Sequence, residues 1–279
     1  MSFVPTIEIR RTHLHDFLEA WITGRTVPHL PCNVDHILRG TRNAWLGQFQ
    51  INVRMPRHEI IRSEITRARD GTAAAVSKIA ARVRGDTEFD FDACQREEAD
   101  GVGAAYMQGV ARMFALHMRM TRGENVDVSE FMNDLWTTCM HSRHQLGRHS
   151  VPEDLRLVKY LEFLKWPGLR EMPCNRIASH LWAAVFRKQA AGQKRDPSRG
   201  MARDIDAIST YAPYVDGMFV DNECATFLNE EPLRTNLHYR SRIFSLYTKD
   251  EFLKYLMDLN ASVSGEQLEE ARQRFGPEV

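Results

Sequence analysis

The chain has 279 residues, 43% of them hydrophobic and 27% charged, which is ordinary globular composition and ample for a sizeable core. Its 37 basic and 37 acidic side chains balance, so net charge gives no argument for nucleic acid or an anionic membrane as a partner. No apolar run approaches the length of a helical membrane span and no basic-then-apolar leader opens the chain; the five cysteines are odd in number, widely spaced and without a Cys-x-x-Cys pair. The expectation is a soluble, cytoplasmic protein with reduced, mostly buried thiols.

In chain order, Phe3 to Ile9 reads as a short strand. Thr12 to Ile22 reads as a helix with Leu14, Phe17, Leu18 and Trp21 on one side, stopped by Pro28 and Pro31. Residues 58–84 carry helical spacing in two halves, with a break expected at Asp70-Gly71. Positions 86–100 hold seven carboxylates and read as an exposed connection. Helices follow over Val102 to Arg119, Ser129 to Met140, Pro152 to Lys165 and Pro173 to Ala191, with Trp166-Pro167-Gly168 as a stop.

After Arg203 the pattern changes. A helix over 204–211, a strand over 217–221, a short helix over 222–228, a strand from Arg242 to Leu246 and a helix from Lys249 to Leu259 alternate, with a charged helix from Gly265 to Phe275 at the end. Strands alternating with helices imply a parallel sheet, so the fold class is α/β with a heavy helical excess.

Carboxylates concentrate in this last third. Asp204 opens a helical pattern, Asp206 follows it by two, Asp216 precedes an apolar run, and Asp221 closes it. A strand end in an open α/β sheet is where ligand sites lie, and acids converging there suit Mg²⁺ or Mn²⁺, which prefer hard oxygen ligands. Asp206 is expected to turn away from Asp204 on a helix. Just upstream, Arg187, Lys188, Lys194, Arg195, Arg199 and Arg203 face a single acid, Asp196. That run reads either as a solvated face or as a phosphate-contacting segment.

The phrase from Asp204 through Ser209-Thr-Tyr-Ala-Pro-Tyr-Val-Asp216 to Asp221, with the following Arg242-Ile-Phe strand and Asp250-Glu-Phe-Leu helix, resembles the C-terminal half of PIN-like nuclease domains. The resemblance covers roughly the last third of the chain. It implies a helix-rich, Rossmann-like fold with a small parallel sheet, one domain over 1–279 with a helical insertion at about 100–170. It also implies a metal-dependent ribonuclease that hydrolyses phosphodiester bonds around one or two Mg²⁺ or Mn²⁺ ions. Asp204 and Asp221 match the acids of the late helix and the strand end, with Asp216 as a third. Glu64, or else Glu59, stands for the acid of the early helix. The Asp that ends the family's first strand has no match, since Phe3 to Ile9 holds only Glu8. Either that strand lies upstream of this chain or the site is degenerate, and the alternative is then a PIN-like module that binds protein or RNA without cutting it.

RNA contacts are expected from the basic segment and from stacking on Tyr211 or Tyr214, which equally suit packing in the core or at its rim. Cys139, His141, His144 and His149 form the densest group of soft ligands, but their spacing matches no standard zinc site. Neither GxGxxG, GxxxxGK[ST] nor GxSxG occurs, which disfavours nucleotide-cofactor enzymes and serine hydrolases of that type.

Overall fold

The computed structural model describes residues 2–28, 37–39, 58–126 and 134–275. It is helix-rich with a small parallel pair of strands, an α/β class. The chain divides into two compact units that alternate along the sequence. One comprises residues 1–5, 32–89 and 184–279; the other comprises 6–31 and 90–183. The helical insertion expected at about 100–170 falls inside the second unit, which runs wider.

The helical unit holds α1 (Thr6–Thr23), α3 (Phe91–Thr121), α4 (Asp134–Arg148), α5 (Glu153–Phe163) and the first part of α6 (Pro173–Ala190). A short 3-10 turn, Pro167–Glu171, sits where Trp166-Pro167-Gly168 stops α5. On α1, Ile9, His13, Leu14, Phe17 and Leu18 are buried at helical spacing. Leu14, Phe17 and Leu18 meet Val110, Leu146, Tyr160, Phe163 and Leu164 in one apolar core. Its rings are tilted against one another, with Trp21 and Phe163 centroids 5.8 Å apart and Phe17 and Trp166 6.3 Å apart. Buried Asn175 is satisfied by donating to the carbonyls of Ala99 at 2.9 Å and Leu169 at 2.8 Å.

The other unit carries α2 (His58–Val83) and, after α6, the elements α7 (Met201–Tyr211), β3 (Gly217–Phe219), α8 (Asn222–Asn229), α9 (Leu233–Asn236), β4 (Arg242–Phe244), α10 (Lys249–Ser262) and α11 (Gly265–Phe275). β3 and β4 pair in parallel, Gly217 opposite Arg242 and Phe219 opposite Phe244. Parallel pairing needs a crossover, and α8 with α9 supplies it. The backbone ladder continues past the strands through Arg242 N to Asp216 O at 2.9 Å and Val220 N to Phe244 O at 2.8 Å. Ser241 shares its hydroxyl proton between the carbonyls of Ala212, at 2.8 Å, and Val215, at 2.6 Å, tying the start of β4 to the turn after α7. Phe219, Phe244 and Phe252 stack with centroids 5.1–5.2 Å apart, which seats α10 on the strands. A second, antiparallel pair joins β1 (Ser2–Phe3) to β2 (Leu38–Arg39).

Three sequence expectations change. The N-terminal strand is only Ser2–Phe3, because Pro5 has no N–H to extend a ladder and α1 begins at Thr6. No break falls at Asp70-Gly71: α2 is continuous, and Gly71 faces open space, where a helical glycine costs only about 1 kcal/mol. The acidic stretch is largely helix. Asp90 caps α3 by accepting from Asp92 N at 2.9 Å and Ala93 N at 3.1 Å, and Asp92 lies in the first turn, at the positive end of the helix dipole. The Ser129 start lies outside the described residues, as does Cys32; Cys139, Cys174 and Cys224 are buried thiols, and Cys94 is a half-buried one. Met113 is buried, whereas Met118 and Met120 are exposed. Among the described residues no helix is long and apolar enough to cross a membrane.

Two glycines of α3 test this packing. A Cβ on Gly103 would sit 2.0 Å from the Leu164 carbonyl oxygen, whereas one on Gly101 would meet nothing within 4 Å. Gly103→Ala should therefore destabilise by about 1–3 kcal/mol, and Gly101→Ala should stabilise by up to about 1 kcal/mol. Urea unfolding of the two variants gives both signs; a neutral Gly103→Ala would refute the close approach.

Candidate functional site

β3 lies between Asp216 and Asp221, so the two acids flank opposite ends of the strand. At the carboxyl end Asp221 caps α8. Its backbone is extended, and its Oδ1 accepts from Cys224 N at 2.7 Å. A carboxylate offers about four acceptor positions, and this bond uses one. Asp204 lies in the first turn of α7, its own N–H donating to Gly200 O at 3.1 Å. Gly200 leaves room beside it: a Cβ there would lie 3.3 Å from Asp204 Oδ2.

The strand end and the helix start bring these two carboxyl groups close enough for the charge of Asp221 to act on Asp204. Burial holds the Asp204 carboxyl above the usual aspartate range, with further upward pushes from the Asp221 charge and from their hydrogen bond; Arg203 opposes them. Two carboxylates in contact repel unless a proton or a cation lies between them. The pair is therefore a carboxylate dyad whose repulsion a shared proton or a hard cation would relieve. The same charges, after burial, push the Cys224 thiol up, so it stays a neutral thiol packed against Met201, Sγ to Sδ 3.9 Å.

The other sequence candidates are placed as follows. Asp216, at the amino end of β3, is exposed and pairs with Arg240 at 2.5 Å, away from the dyad. Its place follows from the strand itself, which spends about 3.3 Å per residue between Asp216 and Asp221. Asp206 is turned toward Tyr211, whose hydroxyl its charge pushes up after burial. Glu64 and Glu59 lie on α2, but their side chains fall outside the described residues. No group of three or more metal-ligating side chains occurs among the described residues.

The basic run divides. Arg187 donates to Glu231 O at 2.8 Å and lies 3.5 Å from Glu230. Lys188 lies 3.5 Å from Glu223 and over the Phe227 ring. Arg199 pairs with Asp70. Lys194, Arg195 and Arg203 are exposed, and Arg203 flanks Asp204. Tyr214 is buried and the Tyr211 hydroxyl donates to Val4 O at 2.8 Å, so neither offers an open face for stacking. Glu223, in the first turn of α8, is a further acid on this side that sequence reading passed over. Asp221-Asn-Glu-Cys has the form of a cap followed by an acidic first turn, and that was its signal.

Because the native chain holds the Asp204 proton more tightly than the unfolded chain, the stabilisation from this group is complete below about pH 3.8 and is lost as pH rises through its raised value. Asp204→Asn removes the repulsion, so the variant should melt above the parent at pH 7 in EDTA, with the gap closing toward pH 4. A Tm difference independent of pH would refute the dyad. Comparisons with protein families, curated proteins and solved structures found no match to this chain.

Proposed function

We propose that this protein is a Mg²⁺- or Mn²⁺-dependent nuclease of the PIN-like type, acting on RNA. The observation that carries the reading is the electrostatic coupling of the Asp204 and Asp221 carboxyl groups at the carboxyl end of a parallel strand. The donor chemistry fits the ion: two carboxylates held near one another are hard oxygen ligands that gain from a divalent charge between them. Asp204 and Asp221 would hold it, with Glu64 as the third acid on the family resemblance. When bound, such a cation neutralises phosphoryl oxygens and lowers the pKa of a bound water.

The residues of the chain have separate tasks. The α8 amide that donates to Asp221 fixes one carboxylate, and the helical backbone from Gly200 fixes the other. Arg203, Lys194 and Arg195 are exposed cations for the phosphodiester backbone, contacts that attract RNA without reading its sequence. Arg187, Lys188 and Arg199 are already engaged with acids and serve the fold first.

Single-stranded RNA with Mn²⁺ should be cut by the parent and by Asp216→Asn, and not by Asp204→Asn or Asp221→Asn. Mn²⁺ at a hundredfold over its Kd should stabilise the parent by about 2.7 kcal/mol, read as a rise in Tm that both inactive variants lose. Retained RNA binding with neither cleavage nor a Mn²⁺-dependent Tm shift would replace this reading with that of a non-catalytic module.

A further inference from the structure

The helical unit contains a second cluster of reactive side chains. Where α1 and α4 pack together lies a cavity of about 520 Å³, within the range of small-molecule sites. His15 and Glu19, one helical turn apart, line it from α1. From α4 come His141, His144, Gln145, Arg148 and His149, at i, i+3, i+4, i+7 and i+8. Those spacings form one stripe of a helix, and a helix usually fills the stripe facing a neighbour with apolar residues. Here the stripe is polar while Cys139 and Leu146, on the same helix, reach the core.

The charge inventory selects the ligand. Among the described residues Glu19 is the one carboxylate lining the cavity, and it is committed: its Oε2 meets His149 Nε2 at 2.6 Å and accepts from Gln145 Nε2 at 3.1 Å. The Gln145 bond first, and then that of His149, hold Glu19 below the usual carboxylate range. An ionised oxygen at that distance places the His149 proton on Nε2 and leaves Nδ1 as a ring nitrogen that accepts, for instance from the hydroxyl of a protonated phosphate. Gln145 is itself anchored by donating to His15 O at 2.9 Å. Burial, then His141 and Arg11, lower the His15 pKa to about 4, so that ring is neutral at pH 7.

What remains for a ligand is nitrogen: the exposed imidazoles of His141 and His144, the guanidinium of Arg148, and His149 Nδ1. Arg143 does not join them, being turned to Glu153 at 3.4 Å. A tetrahedral zinc set is not assembled among the described residues, and Cys139 is buried in the core as a thiol whose pKa burial raises. Guanidinium and imidazole groups on successive turns of one helix suit an oxyanion with several acceptor oxygens.

We propose that this cavity binds a phosphate-bearing small anion, with Arg148 and His144 as the main contacts and His149, oriented by Glu19, as a third. The ligand is either inorganic phosphate or the terminal phosphate of a mononucleotide, and the cavity volume admits both.

Isothermal titration of the full chain in EDTA at pH 7 and low salt, with inorganic phosphate and separately with a nucleoside monophosphate, tests the assignment. Saturable binding is expected with a Kd of about 1 mM or tighter for at least one probe. Arg148→Ala and His144→Ala should each weaken it at least tenfold, and both side chains are exposed, so far-UV circular dichroism and Tm should be unchanged. Glu19→Gln should weaken it too, whereas Asp204→Asn should not. Tighter binding of the nucleotide than of phosphate assigns the mononucleotide; equal or weaker binding assigns the free anion. Binding unchanged in both alanine variants, no saturable heat from either probe, or citrate binding as tightly as phosphate would overturn the proposal.

Discussion

Two like-charged carboxyl groups held near one another are the constraint around which the α7–β3–α8 region is organised. Bringing Asp204 to Asp221 costs free energy through burial and through like charge. The surrounding structure sustains that cost by fixing both backbones. Asp221 is held by the helix it caps, and Asp204 by the first turn of α7. Ser241 bridges two carbonyls after α7 to the start of β4, and the Phe219–Phe252–Phe244 stack keeps α10 on the strands. Without that rigidity the two acids would move apart into water and the repulsion would vanish. An arrangement that keeps them together is one in which a proton or a cation completes the charge balance.

The same region shows what was readable beforehand. The alternation after Arg203 announced the strand and helix order, and the short apolar run Met218-Phe219-Val220 ending at an acid announced the strand end at Asp221. Asp204 and Asp221 were legible because both occupy ends of elements, where position along the chain dictates position in space. Asp216 was misleading for the same reason: it too flanks the strand, but on the amino side, where Arg240 neutralises it. A sequence motif records proximity along the chain, and a strand converts that proximity into separation.

Elsewhere the local signals competed with tertiary ones. Gly71 was read as a break because glycine is the weakest helix former after proline, yet a single exposed glycine cannot outweigh the many turns of α2 around it. The acidic run after residue 86 was read as a loop from its charge alone. Its acids in fact sit where a helix start wants them, as cap and first turn, and Asp100 further along pairs with Arg170 through two bonds of 2.6 and 2.8 Å. The polar stripe of α4 was seen only as a group of soft ligands, because its meaning depends on Glu19 and His15, more than 100 positions earlier. No window short enough to show helical periodicity contains both halves.

The balance of 37 bases and 37 acids then takes on a different meaning. Electrostatic attraction at physiological salt is screened over about 8 Å, so a ligand senses the groups lining its site and not the sum over the chain. Within this neutral total, one unit concentrates two acids at a strand end, while the other lines a cavity with imidazoles and a guanidinium around a single committed carboxylate. The first arrangement favours a cation and the second an anion. Net charge therefore speaks only to partners that bind through the whole surface, and it leaves untouched the two local sites proposed for this chain.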